Sequence, residues 1–479
     1  MCEFVLLSGE IFMKTINNSE LSLGKYSWIQ IIKWLLMALV IYALCSIFIS
    51  NPFSIFVDRF TPVDYSRVMY FHGLTVSLAG ITCLMISQVF DIENKFKKFI
   101  FYCTVMTIFF GITGGAINRS MEETKLLLWY QTLSFFVLDA ILIMLFIGFC
   151  YSKNTQLRQS PTYYLVLASS GSAMMAALIG DLMGIILDFG DVLGIFSWYA
   201  NKIGYSLSEW NDNLLRSHSD MIVVAIIGFI LSIVSWKYGR YLSVKTAVIK
   251  ITGEWMATIG LALMTLVLLV SGFCGVNWQI PHIFTEKGFF APRGQSVAGI
   301  DLVDFIIGTL FLFGGLLLIA AILFGKQKNG NPLNRTAKYT LYGVLLTWSS
   351  IIITVAGMGF LQEYHAELYN SAKDVSLADY GFAFRMLHLD VSLILFPAIM
   401  SVMLWVQHLL KDKQNQRIQW ILRIGVILCT LGSLVYMTIN PTAFGPGYWI
   451  VSIGFVFVVA AMIYFFVFGS HKEIEKFGH

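Results

Sequence analysis

Charge is what this chain of 479 residues has least of: Lys, Arg, Asp and Glu together make up 13%, against roughly 25% in an ordinary soluble domain. That scarcity excludes a water-soluble globular fold. It also excludes a nucleic-acid partner, because the net charge of +4 comes from basic residues in short segments between apolar runs. The short alternating segments of a β-barrel are missing too. Seven cysteines, at 2, 45, 83, 103, 150, 274 and 429, form no Cys-x-x-Cys pair and sit mostly in apolar runs, so they read as packing residues. The first 25 residues are not expected to be a cleavable signal, since Lys14 and Lys25 precede the first apolar run and no small-residue cleavage site follows it. Met13, followed by Lys14, is an alternative start that N-terminal sequencing would decide.

What remains is strongly apolar: 57% hydrophobic, 15% aromatic, mean hydropathy +0.74. Long uncharged runs of this kind predict an all-α polytopic membrane protein, because a helix satisfies its own backbone polar groups in lipid. Runs able to supply about 20 apolar residues fall near 27–50, 68–90, 98–117, 126–150, 162–187, 219–236, 252–274, 302–324, 338–360, 384–409, 418–438 and 447–469, which predicts twelve spans. The expected organisation is a short cytoplasmic segment (1–26), one membrane domain (27–469) and a cytoplasmic tail (470–479).

Basic residues concentrate in cytoplasmic loops. With the N-terminus inside, the inner segments hold twenty Lys and Arg, among them Lys95, Lys153, Lys237, Arg240, Lys326, Arg335, Lys411 and Arg417; the outer segments hold about ten. The alternation survives all twelve spans and predicts an N-in, C-in topology.

That topology gives three histidines a common place. His72, His218 and His388 each fall within about a turn of the outer end of spans two, six and ten, and ionisable groups inside membrane segments usually mark a ligand, a proton path or an internal partner. Recurrence every four spans suggests a pseudo-threefold arrangement of four-helix units. Two imidazoles on facing helices can ligate a haem iron axially, and Gly73, Thr75, Ser77, Ala79 and Gly80 beside His72, with Val391 and Ser392 near His388, are small or apolar neighbours for a macrocycle. The bland alternative is that each histidine bonds a neighbouring helix, with His218 paired to Asp220, and that the small residues serve helix contacts.

Twelve helices with histidines near the outer ends of helices two, six and ten resemble subunit I of the haem-copper oxidases and the related nitric oxide reductases, over residues 27–469. In that family a helix-two histidine, often in His-Gly, binds the low-spin haem, matching His72-Gly73. Helix ten carries His-x-His, with the first histidine on the high-spin haem and the second on the low-spin haem. Here the segment reads Met386-Leu387-His388 or, in the other register, His388-Leu389-Asp390. The aliphatic run that follows favours the first, which pairs His388 with His72 and puts Met386 at the high-spin position. His218-Ser-Asp220-Met-Ile222 resembles the helix-six copper-binding segment, with Asp220 where a glutamate falls.

Several family features are absent. The apolar run 252–274 has no histidine to supply the helix-seven His-His pair, leaving His282 as a loop substitute, and 305–324 carries no lysine. The segment 440–447 lacks the arginines that meet haem propionates, for which Arg67, Arg216 and Arg385 are candidate replacements. The resemblance therefore implies a haem-binding oxidoreductase-like subunit of a bacterial inner membrane, with a degenerate copper site. It would pass electrons from a cytochrome c or quinol donor, beside further oxidase-like subunits, through at least one haem of b-type or similar.

Asp139 and Asp181 lie mid-span and, with Asp220 and Asp390, are candidates for a proton path or for protonated inter-helix bonds; Glu254 lies nearer a span end and reads as structural. Twenty methionines read as packing. Two other functions fit the same spans: a non-enzymatic haem protein (carrier, sensor or haem-handling factor) and a haem-free twelve-helix transporter.

Overall fold

The computed structural model describes residues 65–90, 92–120, 125–191, 194–240, 242–274, 302–327, 333–364, 391–392, 395–438 and 445–468. Among them the chain is helical, with one isolated bridge, Leu242 to Gln327, in place of any strand. The helices are α1 (Tyr65–Val89), α2 (Asn94–Ser120), α3 (Lys125–Cys150), α4 (Thr155–Arg158), α5 (Pro161–Phe189), α6 (Ile195–Lys202), α7 (Leu207–Tyr238), α8 (Val244–Cys274), α9 (Leu302–Phe324), α10 (Arg335–Tyr364), α11 (Phe396–Leu409), α12 (Asp412–Thr438) and α13 (Pro446–Phe468).

Nine of these helices are long and apolar enough to cross a membrane, and shorter apolar stretches, Val76–Val89 and Phe396–Gln407, lie where spans two and ten are expected. The expected first span lies outside the described residues. Helix ends follow local chemistry. Pro161 sits in the first turn of α5, where its missing N–H costs nothing. Gly190 ends that helix at φ 68, a conformation that favours glycine.

α7 and α8 begin well before the apolar runs that announce them. α7 starts at Leu207 because Ser206 and Glu209 form a reciprocal capping box: Ser206 Oγ accepts from the Glu209 N–H at 3.2 Å, and Glu209 Oε2 accepts from the Ser206 N–H at 2.8 Å. Hydropathy sees only the lipid-facing part of such a helix, whereas the cap sets its true start.

The helices pack in sequence-local groups. α1, α2 and α3 pack together; α5, α7, α8 and α9 form a second group; α10, α11, α12 and α13 form a third. Adjacent groups touch through α3 against α5 and α9 against α10. In addition α1, α7 and α11 each touch the other two, and α7 is the most enclosed of the nine long helices, with 72% of its apolar window buried. Where these elements converge, Phe90 stacks on Trp236 at 5.8 Å and meets Phe149 edge-on at 5.6 Å. Glycines let neighbouring backbones approach: Gly253 and Gly314 face each other across α8 and α9, as Gly432 and Gly447 do across α12 and α13.

Candidate functional site

His218 is the one candidate ligand histidine whose side chain is described. It lies about three turns into α7, roughly 16 Å from the helix start at 1.5 Å per residue, so a place one turn from the helix end holds only for the apolar run. Its Nδ1 is 2.7 Å from the carbonyl oxygen of Ala176 on α5. A carbonyl can only accept, so Nδ1 carries the proton and donates. The ring packs against Gly180: a Cβ there would come within 2.7 Å of the imidazole Cε1. One residue away, Ser217 Oγ donates to the Leu268 carbonyl on α8 at 2.8 Å. α7 is thus pinned to α5 and α8 at one depth, which is the inter-helix role of the bland alternative. A donated Nδ1–H is also what orients a metal-bound imidazole, so the geometry suits either role. Asp220 is half-buried on α7. It stands two residues along the same helix from His218.

Two of the proton-path candidates do meet. Asp139 of α3 and Asp181 of α5 face each other closely enough to interact directly, although the buried Oδ2 of Asp139 closes no hydrogen bond. Like charges so placed in lipid are costly, so the pair calls for a proton or a cation between its carboxyls.

Three of the small residues of α1 serve a helix contact. A Cβ on Gly111 of α2 would meet the Gly73 carbonyl at 3.2 Å, and Thr104 Oγ1 donates to the Gly80 carbonyl at 3.2 Å. Ser77 Oγ donates within α1 to the Gly73 carbonyl at 2.7 Å. Gly73, Ser77 and Gly80 therefore lie on the face that receives α2.

His388, Met386, Arg385, Asp390 and His282 lie outside the described residues. His72 and Arg67 are described as backbone positions on α1, and Arg216 as one on α7. No group of three or more His, Cys, Asp or Glu gathers among the described residues.

Two further buried charges join helices: Glu254, expected to be structural, and Arg423, which the sequence did not single out. Glu254 on α8 is fully buried; Thr162 Oγ1 of α5 donates to its Oε1 at 2.6 Å, and Ser235 Oγ of α7 donates to the same oxygen. Lys250, one turn earlier, brings Nζ to 3.0 Å from Oε2, forming an ion pair although no aligned hydrogen bond closes on that oxygen. Three helices are tied to one carboxylate. The i, i+4 spacing of Lys250 and Glu254 was the available signal, hidden because α8 appeared to begin after Lys250.

The second is Arg423 of α12, whose guanidinium donates to the Tyr339 carbonyl on α10 and lies over the Tyr339 and Trp420 rings. Near it Gln419 donates to the Met403 carbonyl at 2.8 Å, joining α12 to α11. Deeper in the same group, Ser392 Oγ donates to Thr354 Oγ1 at 2.8 Å and Thr430 Oγ1 to Ser350 Oγ at 2.7 Å.

Compared with protein-family models, curated proteins and solved structures, the chain matches none.

Proposed function

We propose that this chain is a twelve-span membrane protein built as three four-helix units about a pseudo-threefold axis. In this reading it lies N-in and C-in in a bacterial inner membrane and binds haem between spans two and ten. One observation carries the reading: α1, α7 and α11, which overlie the expected spans two, six and ten, are mutually in contact, while the other long helices pack in the local groups around them. Helices that recur every fourth span and meet at the centre are what a three-unit arrangement requires. The grouping of α5, α7, α8 and α9 as one set and α10 to α13 as another supports the same division.

His72 and His388 would hold the iron, with Arg67 and Arg385 at the propionate end and Met386 as the candidate for a second haem. A bound haem would supply one-electron transfer. The described residues support a scaffold for this, since α7 is locked to α5 and α8 at the depth of His218, fixing the central helix. His218, with Nδ1–H donated to Ala176, presents the tautomer suited to binding metal through Nε2; with His282 as the other candidate, less than one copper per chain is expected. The electron donor in this reading is a cytochrome c or a quinol, and oxygen or nitric oxide consumption by the pure protein separates an oxidoreductase from a non-enzymatic carrier, sensor or haem-handling protein.

The test is a reduced-minus-oxidised spectrum of the purified protein made with ample haem. A low-spin signal is expected, abolished by His72→Ala and by His388→Ala and kept in His218→Ala. No haem absorption in the wild-type protein overturns the proposal. The Asp139–Asp181 pair then favours the second reading, a haem-free transporter, because facing carboxyls in a span suit a proton- or cation-coupled path.

A further inference from the structure

Arg423 is nine-tenths buried, and its Nε is enclosed without a hydrogen-bond partner. No carboxylate pairs with it among the described residues. A second cation stands on the same aromatic ring: the guanidinium carbons of Arg335 and Arg423 lie 5.8 Å and 5.3 Å from the centre of Tyr339. Two guanidiniums share one phenol ring, and among the described residues only a main-chain carbonyl accepts from them, which leaves positive charge without a described counter-charge at the edge of an apolar span.

The depth of this charge is informative. Arg423 is about three turns into α12, but a helical side chain leans toward its own N-terminus, and the guanidinium reaches the level of Tyr339, one turn into α10. Both helices start on the same side, so the guanidinium sits where lipid headgroups begin. Trp420 at that level and Ile424, Ile427 and Leu431 beyond it are 54%, 38%, 43% and 49% exposed at successive turns of α12, and Tyr342 of α10 is 45% exposed. A cation at the headgroup level that leads into an apolar, lipid-facing stripe matches an anionic phospholipid: phosphate at the arginines, acyl chain along the stripe. Arginine suits this task because its planar fork presents paired donors to phosphate oxygens.

We propose that the seam between α10 and α12 is a binding site for an anionic phospholipid of the leaflet facing the basic loops. Arg423 and Arg335 hold its phosphate, and Tyr339 and Trp420 flank the headgroup. This depends neither on haem nor on which side of the membrane those loops occupy.

Native mass spectrometry of the full chain in detergent, titrated with phosphatidylglycerol and separately with phosphatidylcholine, tests it. The expected result is at least a tenfold preference for phosphatidylglycerol, reduced about tenfold in Arg423→Gln and about threefold in Arg335→Gln, and no displacement of the lipid by equimolar inorganic phosphate. Equal binding of the two lipids overturns the proposal, as does an unchanged preference in Arg423→Gln. Displacement by inorganic phosphate also overturns it, showing a site for a free anion. If Arg423→Gln does not fold, Arg423→Lys keeps the charge without the fork, and undiminished preference in both Arg423→Lys and Arg335→Gln rejects the site.

Discussion

Glu254 and Arg423 are both charges buried near the start of a span, and the chain treats them differently. Around Glu254 it supplies everything: a lysine one turn away and hydroxyls from two other helices. Around Arg423 it supplies a carbonyl and two aromatic rings, but no anion among the described residues. The lesson concerns where a compensating group comes from. A charge enclosed between α5, α7 and α8 can reach only protein, so its partners must be encoded; one at a lipid-facing seam can borrow its partner from the membrane.

The strongest way to break this comparison is Glu254→Ala, which strands Lys250 and frees two buried hydroxyls. Losing one partner of a buried ion pair costs about 3–5 kcal/mol, so the variant should lose most of its folded fraction in detergent on heating, as followed by size exclusion. The double variant Lys250→Met with Glu254→Leu should recover most of that loss. A single variant as heat-resistant as the wild type would show that the cluster is not what ties these helices.

An uncharged contact in the same group sharpens the contrast. Gly180→Ala drives a methyl into the His218 ring and must either displace the ring or lengthen its bond to Ala176. Overpacking of this kind costs about 1–3 kcal/mol, and the melting temperature should fall by less than for Glu254→Ala. Combined with His218→Ala, which removes the obstructing ring, the methyl should add almost nothing; additive losses would place the strain elsewhere.

The smallest effect is expected at an exposed pair outside the spans. Glu93 lies between Lys95 at 3.2 Å and Lys153 at 3.4 Å, whose hydrogen bonds and charges hold its carboxyl below the usual glutamate value. A depressed carboxyl contributes stability above its unfolded value, lost as pH falls through the folded one. Glu93→Gln should therefore lower the melting temperature slightly at pH 7, and not at a pH below that carboxyl's range. A large effect at neutral pH would contradict the view that solvent screens surface pairs.

Much of the fold was legible. The α9 limits coincide with those read from hydropathy, and the ends of α3, α12 and α13 fall close to theirs. The starts of α7 and α8 were not, although Ser206-x-x-Glu209 was there to be read, because a search for lipid-compatible runs discards the polar turns that precede them. Of the site, the Asp139 and Asp181 positions were recognised as unusual and do face one another. Gly73 and Gly80 were legible as small residues suited to a close approach, and they do receive α2, but a small residue looks the same whether it admits a cofactor or a neighbouring helix.

By itself the sequence determined that this is a helical chain made for lipid, since 13% charge and long apolar runs leave few other ways to satisfy a backbone. It also determined which ionisable residues stand inside the runs. Only the tertiary structure decided what those residues face: Ala176 for His218, Thr162 and Ser235 for Glu254, Tyr339 for Arg423. The reason is geometric. Hydropathy is a property of a segment, whereas each of these partners comes from a different helix, tens of residues away, brought alongside only by the way the helices pack.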